Sequence, residues 1–241
     1  YFDGAEGSFV VAESDLPAGR DFRSQGRLAY VGEHFFQFQG SGDHFLKAGA
    51  NSPEVFLEYR EFDGTPSDRA YPGHIQDWRP GDPTWRDGRG KGIIGAVNYL
   101  SDVGVNALYF LTMNSYGDGK QAWPWVGRDD MWTYDCSKLD QWEIVFSHMT
   151  AKGIMPHFVL TETENEAYFE IREDGRTGGF ADSRKIYYRE MVARFGHHPA
   201  VTWNIGEENG WAQGDGYHTA NTDEQRILFS AYLRKLLPYN D

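Results

Sequence analysis

The apolar positions of this chain follow a pattern that recurs. Short runs of β-branched, aromatic or aliphatic residues at 45–50, 106–112, 154–160 and 201–205 each give way to a polar loop, and the loop to apolar residues at helical spacing. After the first run, Ser52 as N-cap and Pro53 at the first helical position predict a helix to about Tyr59. Ile93, Ile94, Val97 and Leu100 predict a second helix ending at Gly104. Leu139, Trp142, Ile144, Val145 and Met149 predict a third, capped by Asp135 or Ser137 and closed by Gly153. Pro156 lies near the start of its strand, where a missing donor is best tolerated. A helix over about 182–195 leads into His197-His198-Pro199, and Thr222 with Gln225, in capping-box spacing, opens a last helix to about 237, stopped by Pro238. Ahead of the repeat, 28–31 and 34–38 flank Gly32-Glu33 as a β-hairpin, and nothing before Arg27 has a clear period.

Strand, loop and helix in this order, four times over, imply parallel strands joined by right-handed crossovers. A closed (β/α)8 TIM barrel takes eight such units and about 250 residues. The chain has 241 residues and about four units, so the expected fold is α/β, either a small open sheet or the first half of a TIM barrel. No G-x-G-x-x-G or Walker pattern follows the first strand, which counts against an open nucleotide-binding sheet. Residues 1–40 read as linker and hairpin and 41–241 as the half barrel, whose remainder is expected as a continuation or a second chain.

The polar residues sharpen this picture. Asn51 and Glu54, Asn114, Glu162 and Glu164, and Glu207 and Glu208 all fall just after successive strands, and parallel strands bring such positions to one face. Residues 201–209 run from an apolar strand into two adjacent carboxylates, which cannot both point the same way on an extended chain. The bland alternative is an acidic helix start. A net charge of -13 argues against nucleic acid or an anionic membrane as the main partner. Aromatic residues make up 16% of the chain, with eight Trp and fourteen Tyr, and suit a surface that stacks on sugar rings or an aromatic core. Cys136 is the only cysteine, so an internal disulfide is excluded, and no apolar run is long enough to span a bilayer. The loop over 61–90 exceeds the usual length, and with Trp78 and Trp85 it reads as functional. Trp123, Trp125, Trp132 and Trp211 also fall in loops on the predicted active face, whereas Trp142 and Trp203 read as core.

Five segments in order carry a family resemblance: Phe45-Leu46-Lys47-Ala48-Gly49-Ala50-Asn51-Ser52-Pro53-Glu54, Glu61-Phe62-Asp63-Gly64-Thr65, Ser137-Lys138-Leu139-Asp140-Gln141-Trp142-Glu143, Thr161-Glu162-Thr163-Glu164-Asn165 and Trp203-Asn204-Ile205-Gly206-Glu207-Glu208-Asn209. Together they resemble a family of bacterial (β/α)8 glycoside-hydrolase-like proteins in which the barrel follows a small N-terminal β-sandwich. The related retaining glycosidases place their acid/base after the fourth strand in a Trp-x-x-x-Asn-Glu pattern. Trp203 and Glu208 match it, with Glu207 in place of the Asn. The resemblance therefore implies Glu208 as general acid/base with Glu207 as its rival, and a nucleophile after a seventh strand that these residues do not include. It implies hydrolysis of a polysaccharide or oligosaccharide with retention, in a secreted or periplasmic setting.

Cleaving a glycosidic bond takes one protonated carboxyl and one carboxylate, and burial or a neighbouring negative charge keeps the donor protonated. Glu162 or Glu164 could complete such a pair, or could bond to substrate hydroxyls and to Lys47 or Arg128. The expected substrate-binding set is Asn51, Asn114, Trp123, Trp125, His157, Glu162, Glu164, Asn204, Asn209 and Trp211. His157 reads as a pocket-floor histidine rather than a metal ligand, and His197-His198 as charges at a helix C-terminus. Asp129-Asp130 and Asp63-Gly64 lack EF-hand spacing and read as solvated turn acids, so no metal or cofactor is expected. The alternative from a different class is a carbohydrate-binding protein on the same fold without catalysis. A polysaccharide lyase ranks third, because the loops are acidic where a uronate would need basic residues.

Overall fold

A computed structural model describes residues 6–8, 10, 15–16, 19–169, 180–208 and 221–237. Residues 170–179, Asn209, Trp211 and Pro238 lie outside the described residues. The chain forms β1 (Leu28–Tyr30), β2 (Phe36–Phe38), β3 (His44–Phe45), β4 (Gly49–Asn51), α1 (Lys91–Asp102), β5 (Ala107–Leu111), α2 (Cys136–Ala151), β6 (Met155–Val159), α3 (Glu166–Phe169), α4 (Asp182–Phe195), β7 (Thr202–Asn204) and α5 (Asp223–Leu236). Strands β1 to β3 make an antiparallel sheet, and β4 to β7 make a parallel sheet in chain order. Its register sets Asn51 beside Tyr109, Tyr109 beside His157 and His157 beside Thr202.

The helices form where the apolar spacing puts them. Ile93, Ile94 and Val97 are fully buried on α1, which ends at Gly104 in the left-handed region, φ +94°. Asp135 caps α2 by accepting from the Lys138 N–H at 3.0 Å. Thr222 and Gln225 make the capping box of α5. Between sheet and helices, Phe110 and Phe158 of the strands meet Phe146 of α2 and Phe195 of α4 at centroid distances of 4.9 to 5.7 Å. Burying four such rings contributes on the order of 2 kcal/mol each, with edge and stacking terms in addition.

Two sequence expectations change. The run 45–50 is two strands rather than one. Phe45 packs on Phe22 and Phe38 and pairs with Phe36, Leu46 is 68% exposed, and the parallel sheet begins only at Gly49. Asn106 bridges the break, accepting from the Ala48 N–H at 2.7 Å and donating to the Leu46 carbonyl at 2.8 Å. The helix expected over 53–59 is a series of turns. Its apolar residues separate: Phe56 packs on Phe110, whereas Tyr59 packs on Phe62 and Tyr71. Glu58 between them is buried and accepts from Arg69 and from the Gln121 N–H, so no single helical face could serve all three.

The antiparallel sheet closes the N-terminal end of the parallel one. Phe22, Phe38 and Phe45 form a satellite core with Ala107, Met155 and Ala200, at the starts of β5 and β6 and the approach to β7. The Leu28 N–H donates to the Pro199 carbonyl at 2.8 Å. With that end closed, the opposite end is the one available for chemistry.

Candidate active site

Along β5 and β6 every residue is buried except the central one, Tyr109 and His157 respectively. These two sit in register with rings edge to face, centroids 4.9 Å apart. They mark the open face of the sheet. On that face a cavity of about 410 Å³ is lined by Lys47, Gly49, Ala50, Asn51, Ala107, Tyr109 and Glu207. A second hollow of about 330 Å³ runs along the edge of β7 between β1, β2 and α5, past Trp203 and Ile205. No carboxylate lines it.

The strand ends deliver the acids as parallel pairing requires. The chain beyond β7 stays beside the chain beyond β6: the Glu207 N–H donates to the Thr161 carbonyl at 2.9 Å, and Glu162 and Glu207 form an isolated parallel bridge. Thr161 Oγ1 donates to Ile205 O at 3.0 Å, and Thr163 Oγ1 to Glu208 O at 2.8 Å, fixing the two ends together. Glu207 is half-buried and lines the cavity. Its Oε2 is buried and makes no hydrogen bond among the described residues. Burial first, then the charges of Glu54 and Glu208, push its carboxyl up, partly offset by the Tyr109 hydroxyl. Glu208 is exposed, holds φ +49° and is not among the residues lining the cavity.

Glu162 is nearly enclosed, at 5% exposure. Burial, with the charges of Glu164 and Glu207 behind it, raises its carboxyl from the ordinary 4.5 to about 8. Asn165 donates to it through Nδ2 at 2.7 Å, and the same Asn165 accepts through Oδ1 from the backbone of Ser115 and Tyr116 at 3.0 and 2.9 Å. Gly117 lies so close over the carboxyl that an added Cβ would overlap it. The loop after β5 is thus laid across Glu162. Neither Lys47 nor Arg128 takes the bonding role expected toward 161–165. Lys47 Nζ contacts His157 Nδ1, and Arg128 stacks on the Tyr116 ring at 4.2 Å. Burial and the Lys47 charge depress His157 to about 4, so the ring is neutral and accepts from the lysine.

The remaining candidates divide. Asn51 lines the cavity, and Glu164, half-buried, stands next to Glu162 in charge terms. Asn114 is fully buried, accepting from the Lys120 N–H at 3.2 Å, and Asn204 accepts from the Gly206 N–H at 3.1 Å, a turn role. Trp123 and Trp125 do not offer sugar-stacking faces: they are 5% and 0% exposed. The loop after β5 folds back through bridges Asn114 to Ala122 and Trp125 to Tyr134, turning Trp125 inward against Tyr168 and Tyr187. Trp85 is likewise core, stacked on Phe62 at 5.4 Å, whereas Trp132 is 61% exposed. Tyr109 was not among the sequence candidates. Its signal was its place in the strand, paired by register with Asn51 and His157.

No protein-family model matches the chain, and no curated protein matches it. Among solved structures it is similar to a Bacteroides vulgatus ATCC 8482 protein provisionally assigned as a glycoside hydrolase, with TM-score 0.57 and 14% identity over 93% of this chain and 39% of that one. It is also similar to a glycoside hydrolase family 5 protein from the same organism, with TM-score 0.53 and 13% identity over 95% of this chain and 40% of that one. These likenesses show the fold: an α/β architecture whose four-stranded parallel sheet fits part of a TIM barrel. The chain spans about two fifths of the length of each of these structures.

Proposed function

We propose that this chain is part of a glycoside hydrolase acting on a polysaccharide or oligosaccharide in a secreted or periplasmic setting, with Glu207 as the general acid/base. The observation that carries the reading is the Glu207 carboxyl: it lines the cavity at a strand's C-terminal end, its pKa is raised, and Oε2 is buried without a hydrogen-bond partner among the described residues. A leaving glycosidic oxygen is a partner of the right kind. In the first step Glu207, protonated, gives its proton to that oxygen as the sugar–oxygen bond breaks and the partner carboxylate bonds to the anomeric carbon. In the second it takes a proton from a water whose oxygen displaces that carboxylate. Tyr109, which lines the same cavity as Glu207, is the positioning residue for that carboxyl, and Asn51 supplies an amide to sugar hydroxyls. With retention, the partner carboxylate sits about 5–5.5 Å from the acid/base. Glu162, protonated up to about 8, is a poor nucleophile near neutral pH, so that carboxylate is assigned to the second half of the barrel.

The test is turnover and binding of E207Q, E208Q and wild type on a panel of glycans and aryl glycosides. E207Q is expected to lower kcat at least about 100-fold with sugar affinity nearly kept. Wild-type turnover in E207Q, with loss in E208Q, would move the role to Glu208. Affinity without turnover on any glycan would favour the non-catalytic binding protein.

A further inference from the structure

At the opposite end of the fold from Glu207, three side chains converge that the proposed function does not use. We propose that Glu143, His197 and His198 form a zinc-binding site that ties α2 to the chain entering β7. One donor atom from each lies within 4.8 Å of the others. His197 Nε2 is 3.4 Å from Glu143 Oε1, and His198 Nε2 is 3.3 Å from Glu143 Oε2. With bonds of about 2.0–2.1 Å, a tetrahedral zinc holds its ligand atoms roughly 3.3–3.5 Å apart; each imidazole already stands at that distance from one carboxylate oxygen, and a small turn of the carboxylate brings one oxygen to both. His198 Nε2 and Glu143 Oε2 are buried, and neither makes a hydrogen bond among the described residues. Two facing, unsatisfied donor atoms at that spacing are what a small cation between them would satisfy.

The surroundings orient the set as metal ligands are oriented. Glu143, Ser147 and Thr150 stand at i, i+4 and i+7 on one face of α2. Ser147 Oγ donates to Glu143 Oε1 at 2.6 Å, and Thr150 Oγ1 shares a hydrogen bond of 3.0 Å with His198 Nδ1, leaving Nε2 toward the carboxylate. Phe146 lies edge-on to the His198 ring, 6.5 Å between centroids, and the His198 side chain is only 2% exposed. His197 is 59% exposed, so the fourth position opens to solvent and a water completes the zinc. Two imidazoles and a carboxylate suit zinc, with nickel and copper as competitors. Because Pro199, whose carbonyl accepts from the Leu28 N–H, and Ala200, a member of the satellite core, follow directly, the site staples α2 to the closed end of the sheet. The alternative is an imidazolium–carboxylate ion pair.

The experiment is titration calorimetry of the untagged, chelator-treated full chain with zinc chloride, beside visible spectra with cobalt. The expected result is one saturable zinc per chain and the absorption of four-coordinate cobalt, both lost in H198A and in E143Q. Thr150→Val should weaken zinc about 10–100-fold without removing a ligand. If H198A fails to fold, H197A and E143Q, at more exposed positions, carry the test. No saturable binding, or binding undiminished by E143Q and H197A, would overturn the site and leave an ion pair only. Neither outcome depends on glycan turnover.

Discussion

Glu162→Gln is expected to make the protein more stable above pH 5, although it removes a buried, hydrogen-bonded group. The unfolded carboxyl titrates near 4.5 and the folded one near 8. Between those values the native state holds the proton more tightly, so stability falls as pH rises, the reverse of an ordinary paired carboxylate. Integrating the two titrations gives a loss of about 3–4 kcal/mol between pH 5 and pH 8 from this group alone. Glutamine keeps the shape and still accepts from Asn165 Nδ2, and it has no charge to desolvate or to face Glu164 and Glu207. The assay is urea unfolding of both proteins at pH 5, 6, 7 and 8, with equal m-values as the control. The difference between variant and wild type should grow along that series by about 3–4 kcal/mol. Parallel curves would refute the reasoning: Glu162 would then titrate as a solvated acid, and the loop after β5 could not lie over it as described.

Arg184 and Glu166 are a fully buried ion pair, with the guanidinium 4.3 Å from the Phe169 ring centre and 4.5 Å from that of Phe229. R184M should cost about 3–5 kcal/mol in urea unfolding by stranding the carboxylate, and R184M with E166M should recover most of it. Trp125→Ala should cost about 3–5 kcal/mol, and Trp132→Ala should stay within about 0.5 kcal/mol. Only the latter can then report on sugar stacking, read as weaker glycan affinity at unchanged melting temperature.

The long-range order of this fold is legible in the sequence because parallel β/α units write it locally. Apolar runs of strand length, helical spacing after each loop and the Thr222–Gln225 capping box place α1, α2, α4, α5 and the parallel strands β5, β6 and β7 from single-chain patterns. The rule that such strands present their C-terminal ends together brings Glu162 beside Glu207 without any contact being known, and the bridge between them bears it out. What the sequence leaves open are the choices made across space. Glu207 and Glu208 are adjacent and chemically identical, and only the pairing of Glu207 with Thr161 turns one into the cavity and leaves the other exposed. Trp125 sits among polar loop residues, yet the loop doubles back and uses it as core, a decision made by Tyr168 and Tyr187 some 40 and 60 residues away. Phe45 reads as part of one strand with Ala50, and the satellite core under the antiparallel sheet takes it away.

The same limit explains why the carboxylates carry more of the functional reading than the aromatics. An aromatic side chain lowers the free energy of a buried core and of a sugar-binding surface alike, so a Trp in a loop does not say which it serves. A buried carboxyl beside other carboxyls has a cost in every setting and lowers the free energy of folding in none. Glu162, Glu164, Glu207 and Glu54 crowd one end of the sheet, and Arg69 and Arg184 answer other acids, Glu58 and Glu166. A fold that pairs its buried acids elsewhere and leaves Glu207 Oε2 without a hydrogen-bond partner among the described residues spends stability there. That expenditure, more than the count of tryptophans, is the physical ground for proposing chemistry at the C-terminal ends of β6 and β7.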